Sequence, residues 1–86
     1  MNVRIPTPLR SYTDQRAVVE AEGATVGELF TDLDRRFPGL RFRVVDEQDR
    51  IRPTILFHVN GRVVRDLGEK LSDRDEVQIV AALSGG

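Results

Sequence analysis

The chain has 86 residues, 40% of them apolar and 31% charged, and its 13 basic and 14 acidic side chains leave a formal charge of −1. This length sustains one small domain, since a second needs roughly 50 more residues to hold its own core. The near-neutral charge excludes broad electrostatic binding to nucleic acid or to an anionic membrane. There is no cysteine and one histidine, His58. Disulfides, iron–sulfur clusters, thiolate zinc sites, cysteine nucleophiles and HExxH metal sites are thereby removed.

No apolar run approaches the roughly 18 residues of a membrane span, and MNVRIPTPLR lacks a signal-peptide core, so a cytoplasmic protein is expected. A chain this small rarely encloses a pocket of roughly 300 Å³. Neither a stand-alone enzyme nor a cofactor is expected.

Residues 2–5 alternate polar and apolar, which predicts a short strand with Val3 and Ile5 inward. Pro6 and Pro8 stop it, because proline donates no ladder hydrogen bond. Residues 9–15 read as a turn and 16–21 as a second strand, giving a hairpin with a longer loop than the two-residue ideal.

The clearest helix runs over 25–36. Thr25 and Glu28 form a T-x-x-E capping box. Val26, Leu29, Phe30, Leu33 and Phe37 make one apolar stripe, the core face of a helix lying on a sheet. Arg35 and Arg36 meet the C-terminal end of the helix dipole, and Pro38-Gly39 ends the element.

Residues 40–53 are harder to read. Leu40, Phe42 and Val44 alternate with Arg41 and Arg43, as in a short strand, before a polar DEQDR turn. The window 35–52 holds six arginines against three acids. It reads either as a solvated surface with salt-bridge partners or as a docking patch for an acidic partner.

Residues 54–59, TILFHV, predict a strand, and Asn60-Gly61 before RVV is the strongest short-range hairpin signal. Ile55, Phe57 and Val59 take one face; Leu56 and His58 take the other. His58 is then a sheet-surface residue or a contact on a partner-binding face. Residues 66–71 connect to a last strand over 76–82, with Val77 and Ile79 inward. One amphipathic helix has to cover the apolar face of the sheet. The expected fold class is α+β, a β-grasp (ubiquitin-like) mixed sheet of four to five strands on one main helix, with first and last strands parallel. Residues 1–82 form the domain and 83–86 a flexible diglycine tail.

Stability does not explain Gly85 and Gly86, since neither adds to a core and both raise the entropy of a free end. The closing stretch resembles the ubiquitin-like sulfur carriers of the ThiS/MoaD kind, which serve thiamin, molybdopterin and cysteine biosynthesis. Their ending is roughly L-x-D-G-D-E-V-x-I-x-P-x-x-A-G-G. Leu71, Asp73, Asp75, Glu76, Val77, Ile79, Gly85 and Gly86 match it, and the Val59-Asn60-Gly61 hairpin and a first strand ending at Pro6 are similar too. Arg74, Ala81 and Ser84 depart from it. Ile51-Arg52-Pro53 and VNGRVVR look most like the carriers of cysteine biosynthesis or secondary metabolism.

The resemblance implies a carrier that is a substrate of enzymes and not an enzyme. Gly86 would be adenylated by an ATP-dependent activating enzyme and converted to a thiocarboxylate, which a sulfur-accepting synthase then uses. The residues fit that chemistry. Without cysteine, sulfur can ride only on an acyl group, and the C-terminal carboxylate, with a pKa of about 3.3–3.7, is ionised and needs activation. Leu83, Ser84, Gly85 and Gly86 would thread the partner's active site. Four residues past Ala82 reach at most about 13–14 Å. Leu56, His58 and Val80 are the candidate docking surface, and the free protein is expected to be a monomer. A ubiquitin-like protein modifier and a non-catalytic β-grasp interaction module are the competing expectations.

Overall fold

In the computed structural model, which describes residues 1–81, strand β1 (Asn2–Arg4) points Val3 inward between exposed Asn2 and Arg4. Strand β2 (Val18–Glu20) returns antiparallel, with Val3 opposite Val19. Of the stretch 9–15 expected as a turn, 13–15 are the turn and 9–12 belong to a 3₁₀ helix, Thr7–Tyr12, that buries Leu9. Pro8 favours this, because its fixed φ suits a first turn where its missing N–H is not needed.

Helix α1 (Val26–Arg36) starts as the capping box predicts: the Thr25 hydroxyl accepts the Glu28 N–H at 3.2 Å. The N–H groups of Val26 and Gly27 are not left open. They donate to the carbonyls of Glu69 (3.0 Å) and Leu67 (2.8 Å), which pins the 66–71 connection across the helix start. Val26, Leu29, Phe30 and Leu33 are buried against the sheet. The Phe30 ring meets Phe57 edge-on, with centroids 4.9 Å apart.

Residues 40–44 correct the strand expectation. They form a short helix, α2 (Leu40–Val44), entered through Gly39 at φ +95°. Both periods put Leu40 and Val44 on one face, since four residues is one helical turn and also two strand repeats. Phe42 decides between them: a strand would bury it with its neighbours, yet it is 54% exposed. Asp34 fixes the joint by accepting the N–H groups of Gly39 (3.1 Å) and Arg41 (3.2 Å).

Strand β3 (Ile55–Val59) alternates buried and half-buried residues. Asn60 and Gly61 both have positive φ, +52° and +82°, as a type I′ turn requires, and lead into β4 (Arg62–Val63). Strand β5 (Val77–Ala81) pairs along all of β3 and runs parallel to β1. The order β2-β1-β5-β3-β4 puts the first and last strands side by side, as a β-grasp needs. Among the described residues no helix is long and apolar enough to cross a membrane. The expected tail at 83–86 lies outside the described residues.

One ion-pair hub ties α1 to the chain leaving β2. Asp32 accepts the Glu22 N–H (2.8 Å) and Arg36 Nε (2.8 Å), and also pairs with Arg35. Its carboxyl titrates at about 2, below the usual 3.8, chiefly through the Arg35 bond, then the Glu22 N–H. A folded-state pKa below the unfolded one adds stability above pH 4 and loses it as pH falls from about 4 to 2. Allowing for solvent screening, Asp32→Asn should cost about 1 kcal/mol at pH 7. Urea melts at pH 7 and pH 2 check this: the wild-type advantage should close at the lower pH.

Candidate functional site

The helix covers only one face of the sheet. On the other, strand register builds a continuous row: Val18 opposite Arg4, Arg4 opposite Gln78, Gln78 opposite His58, and His58 opposite Val63. One step along, Leu56 lies directly opposite Val80. The three residues singled out from sequence, Leu56, His58 and Val80, thus come together on the uncovered face, each half-buried. Ala82, the next residue of that strand in the sequence reading, lies outside the described residues.

Val18 and Val63 are additions that the sequence reading missed; they are 43% and 46% exposed. Val63 had a signal. A two-residue Asn60-Gly61 turn pairs 59 with 62 and hence 58 with 63.

The end of the sheet where β5 begins is braced by Asn60. Its Nδ2 donates to Asp75 (3.0 Å), and its Oδ1 accepts the Glu76 N–H (2.9 Å). Asp75 also accepts the Ser72 N–H at 2.8 Å. These bonds hold its carboxyl below the ordinary carboxylate range, the Ser72 N–H first. The bracing fixes the DRDE turn against the start of β5. Arg74, at the position where the family ending L-x-D-G-D-E-V has glycine, has no positive φ. The turn therefore does not need glycine. Ala81, near the expected proline, sits in the ladder opposite Ile55.

Among the described residues, no three acidic or histidine side chains converge on a metal position. Leu83, Ser84, Gly85 and Gly86 lie outside the described residues.

A mixed five-stranded sheet on one main helix, with parallel first and last strands, is the β-grasp of ubiquitin-like proteins. Residues 3–86 match the ThiS family, and the chain belongs to that family. It is 32% identical over 91 residues to the sulfur carrier protein CysO of Mycobacterium tuberculosis, with 100% of this chain and 98% of that protein covered. In the crystal structure of the Amycolatopsis orientalis BexX/CysO complex, a chain 36% identical superposes with a TM-score of 0.91, covering 99% of this chain and 98% of that one. The small archaeal modifier protein SAMP1 of Haloferax volcanii is 28% identical, with a TM-score of 0.79 and coverage of 100% and 98%. The chain is a sulfur carrier protein of the ThiS/CysO type, acted on by enzymes and not one itself.

Proposed function

We propose that Gly86 is the sulfur-bearing residue and that the uncovered sheet face docks the enzyme that activates it. A Gly86 carboxylate oxygen attacks the α-phosphorus of ATP, and the bond to the pyrophosphate leaving group breaks. Hydrosulfide then attacks the acyl carbon, the bond to AMP breaks, the S–H proton is lost to solvent, and a thiocarboxylate remains. The observation that carries this reading is the family match running through residue 86, in a chain without cysteine whose last two residues are glycine. Glycine suits this end because only a chain without side chains threads a narrow channel at any backbone angle. Leu83 and Ser84 enter the channel behind it.

The partners of this reading are an ATP-dependent adenylating enzyme and a sulfur-accepting synthase that takes sulfur for cysteine, thiamin, molybdopterin or a secondary metabolite. The BexX/CysO complex supports a synthase-type partner by analogy. The free carrier is a monomer in the cytoplasm, where ATP is at hand. A second reading, conjugation of Gly86 to target lysines, draws on the likeness to an archaeal modifier protein. Gly86 isopeptides in native lysate would favour it.

Leu56, His58 and Val80 carry the docking, with Val63 extending the patch. An aspartate in an apolar patch is desolvated without a partner on docking. Leu56→Asp should therefore lower pyrophosphate exchange by the cognate activating enzyme at least about tenfold, a difference of 1.4 kcal/mol or more. Its thermal midpoint should stay within a few degrees. Undiminished exchange would remove this face from the docking surface.

A further inference from the structure

The arginine-rich window resolves into two kinds of arginine. Four are paired within the chain: Arg35 and Arg36 with Asp32, Arg41 with Asp49 at 3.1 Å, and Arg50 with Asp46 at 4.0 Å. The other two, Arg43 and Arg52, have no carboxylate within ion-pair distance among the described residues. These two line one groove of about 430 Å³, and Ala81, the last described residue before the C-terminal five, lines it too.

The groove is built rather than accidental. Arg52 donates its Nε–H to the Phe42 carbonyl at 2.8 Å and lays its guanidinium over the Phe42 ring, 4.7 Å from the centroid. Its plane is set, and its terminal N–H groups are left for another acceptor. Arg43 stands 5.8 Å from the Tyr12 ring centroid. Phe42 is the most exposed large apolar side chain among the described residues. Its backbone bond to Arg52 and the α2 turn hold it outward. Glu47 is the one acid lining this groove. Asp46 lies on the other side of Arg52 and is already paired with Arg50, so the groove itself carries two guanidiniums against one carboxylate.

We propose that Arg43 and Arg52, with Phe42 between hydrogen bond and ring stack, grip a carboxylate-bearing segment of the enzyme that takes in the C-terminus. An enzyme that receives Gly86 has to approach along β5 and past Ala81. It meets this groove at the root of the chain end, where two oriented, unpaired guanidiniums favour aspartate or glutamate side chains. The other four arginines of the window already face a carboxylate of this chain. The proposal rests on Gly86 being the reacting end.

The test titrates the cognate activating enzyme with the full chain by calorimetry at two salt concentrations, and reads sulfur loading of each variant by intact mass. Arg43→Glu/Arg52→Glu should raise Kd by at least about tenfold and flatten its salt dependence. Arg43→Gln/Arg52→Gln, which introduces no repulsion with Glu47, should lie between it and wild type. Arg74→Glu, a single charge reversal of the same kind beyond the other end of β5, should stay within about twofold. Melting curves of each variant separate binding from folding. An unchanged Kd with normal sulfur loading would overturn the groove and leave the Gly86 reading standing. Arginine-dependent binding without sulfur loading would keep the groove and overturn that reading. No binding by the wild type overturns both.

Discussion

Removal of Gly86 should abolish activation and leave the fold untouched. Among the described residues the last fully buried side chain is Ile79, and a surface change remote from the core costs under about 0.5 kcal/mol. The reacting carboxylate, however, moves back one residue, about 3.3–3.6 Å along the chain. A displacement of 1 Å at a reacting centre can cost on the order of 100-fold in rate. Gly86→Ala is the finer probe, since the carboxylate keeps its place while a methyl group enters a channel that fits glycine. Both variants should lose pyrophosphate exchange with an unchanged circular dichroism spectrum. Wild-type exchange by the truncated chain would make the interaction-module reading the better one.

Phe57→Ala should have the opposite profile. Phe57 is fully buried at the centre of β3, and the edge contact with Phe30 locks α1 to the sheet. Truncating such a ring costs about 3–5 kcal/mol. A domain of this size has roughly 4–13 kcal/mol in total. The midpoint should fall by more than about 15 °C. The contrast with Leu56→Asp matters most, because the two residues are neighbours on one strand facing opposite sides. Equal melting losses in both would show that the faces are assigned wrongly.

The β-grasp was legible because its signals are local and mutually consistent. The Thr25 box, the α1 stripe and the Asn60-Gly61 turn each specify one geometry, and the alternation of β3 sets which residues face out. Leu56, His58 and Val80 followed from that alternation alone. Residues 40–44 were misread because Leu40 and Val44 satisfy both periods, and only the surroundings of Phe42 separate them. The 3₁₀ helix after Pro6 was missed for a similar reason: a few residues with one buried leucine look alike as turn or helix. The split of the arginines into paired and unpaired is partly a matter of tertiary neighbours. Asp32 meets Arg35 and Arg36 at the i+3 and i+4 spacing of a helix, which the sequence does show, whereas Asp49 reaches Arg41 only through the turn after α2, which no periodicity shows.

The chemistry turns on one atom at the end of the chain, and intact-mass analysis reads it directly. Incubated with its cognate activating enzyme, ATP and a sulfur source, the protein should gain about 16 Da, sulfur for oxygen, and fragmentation should place the gain on Gly86. A mass that stays unchanged, or sulfur found at any residue other than Gly86, would contradict the assignment of Gly86 as the carrier residue.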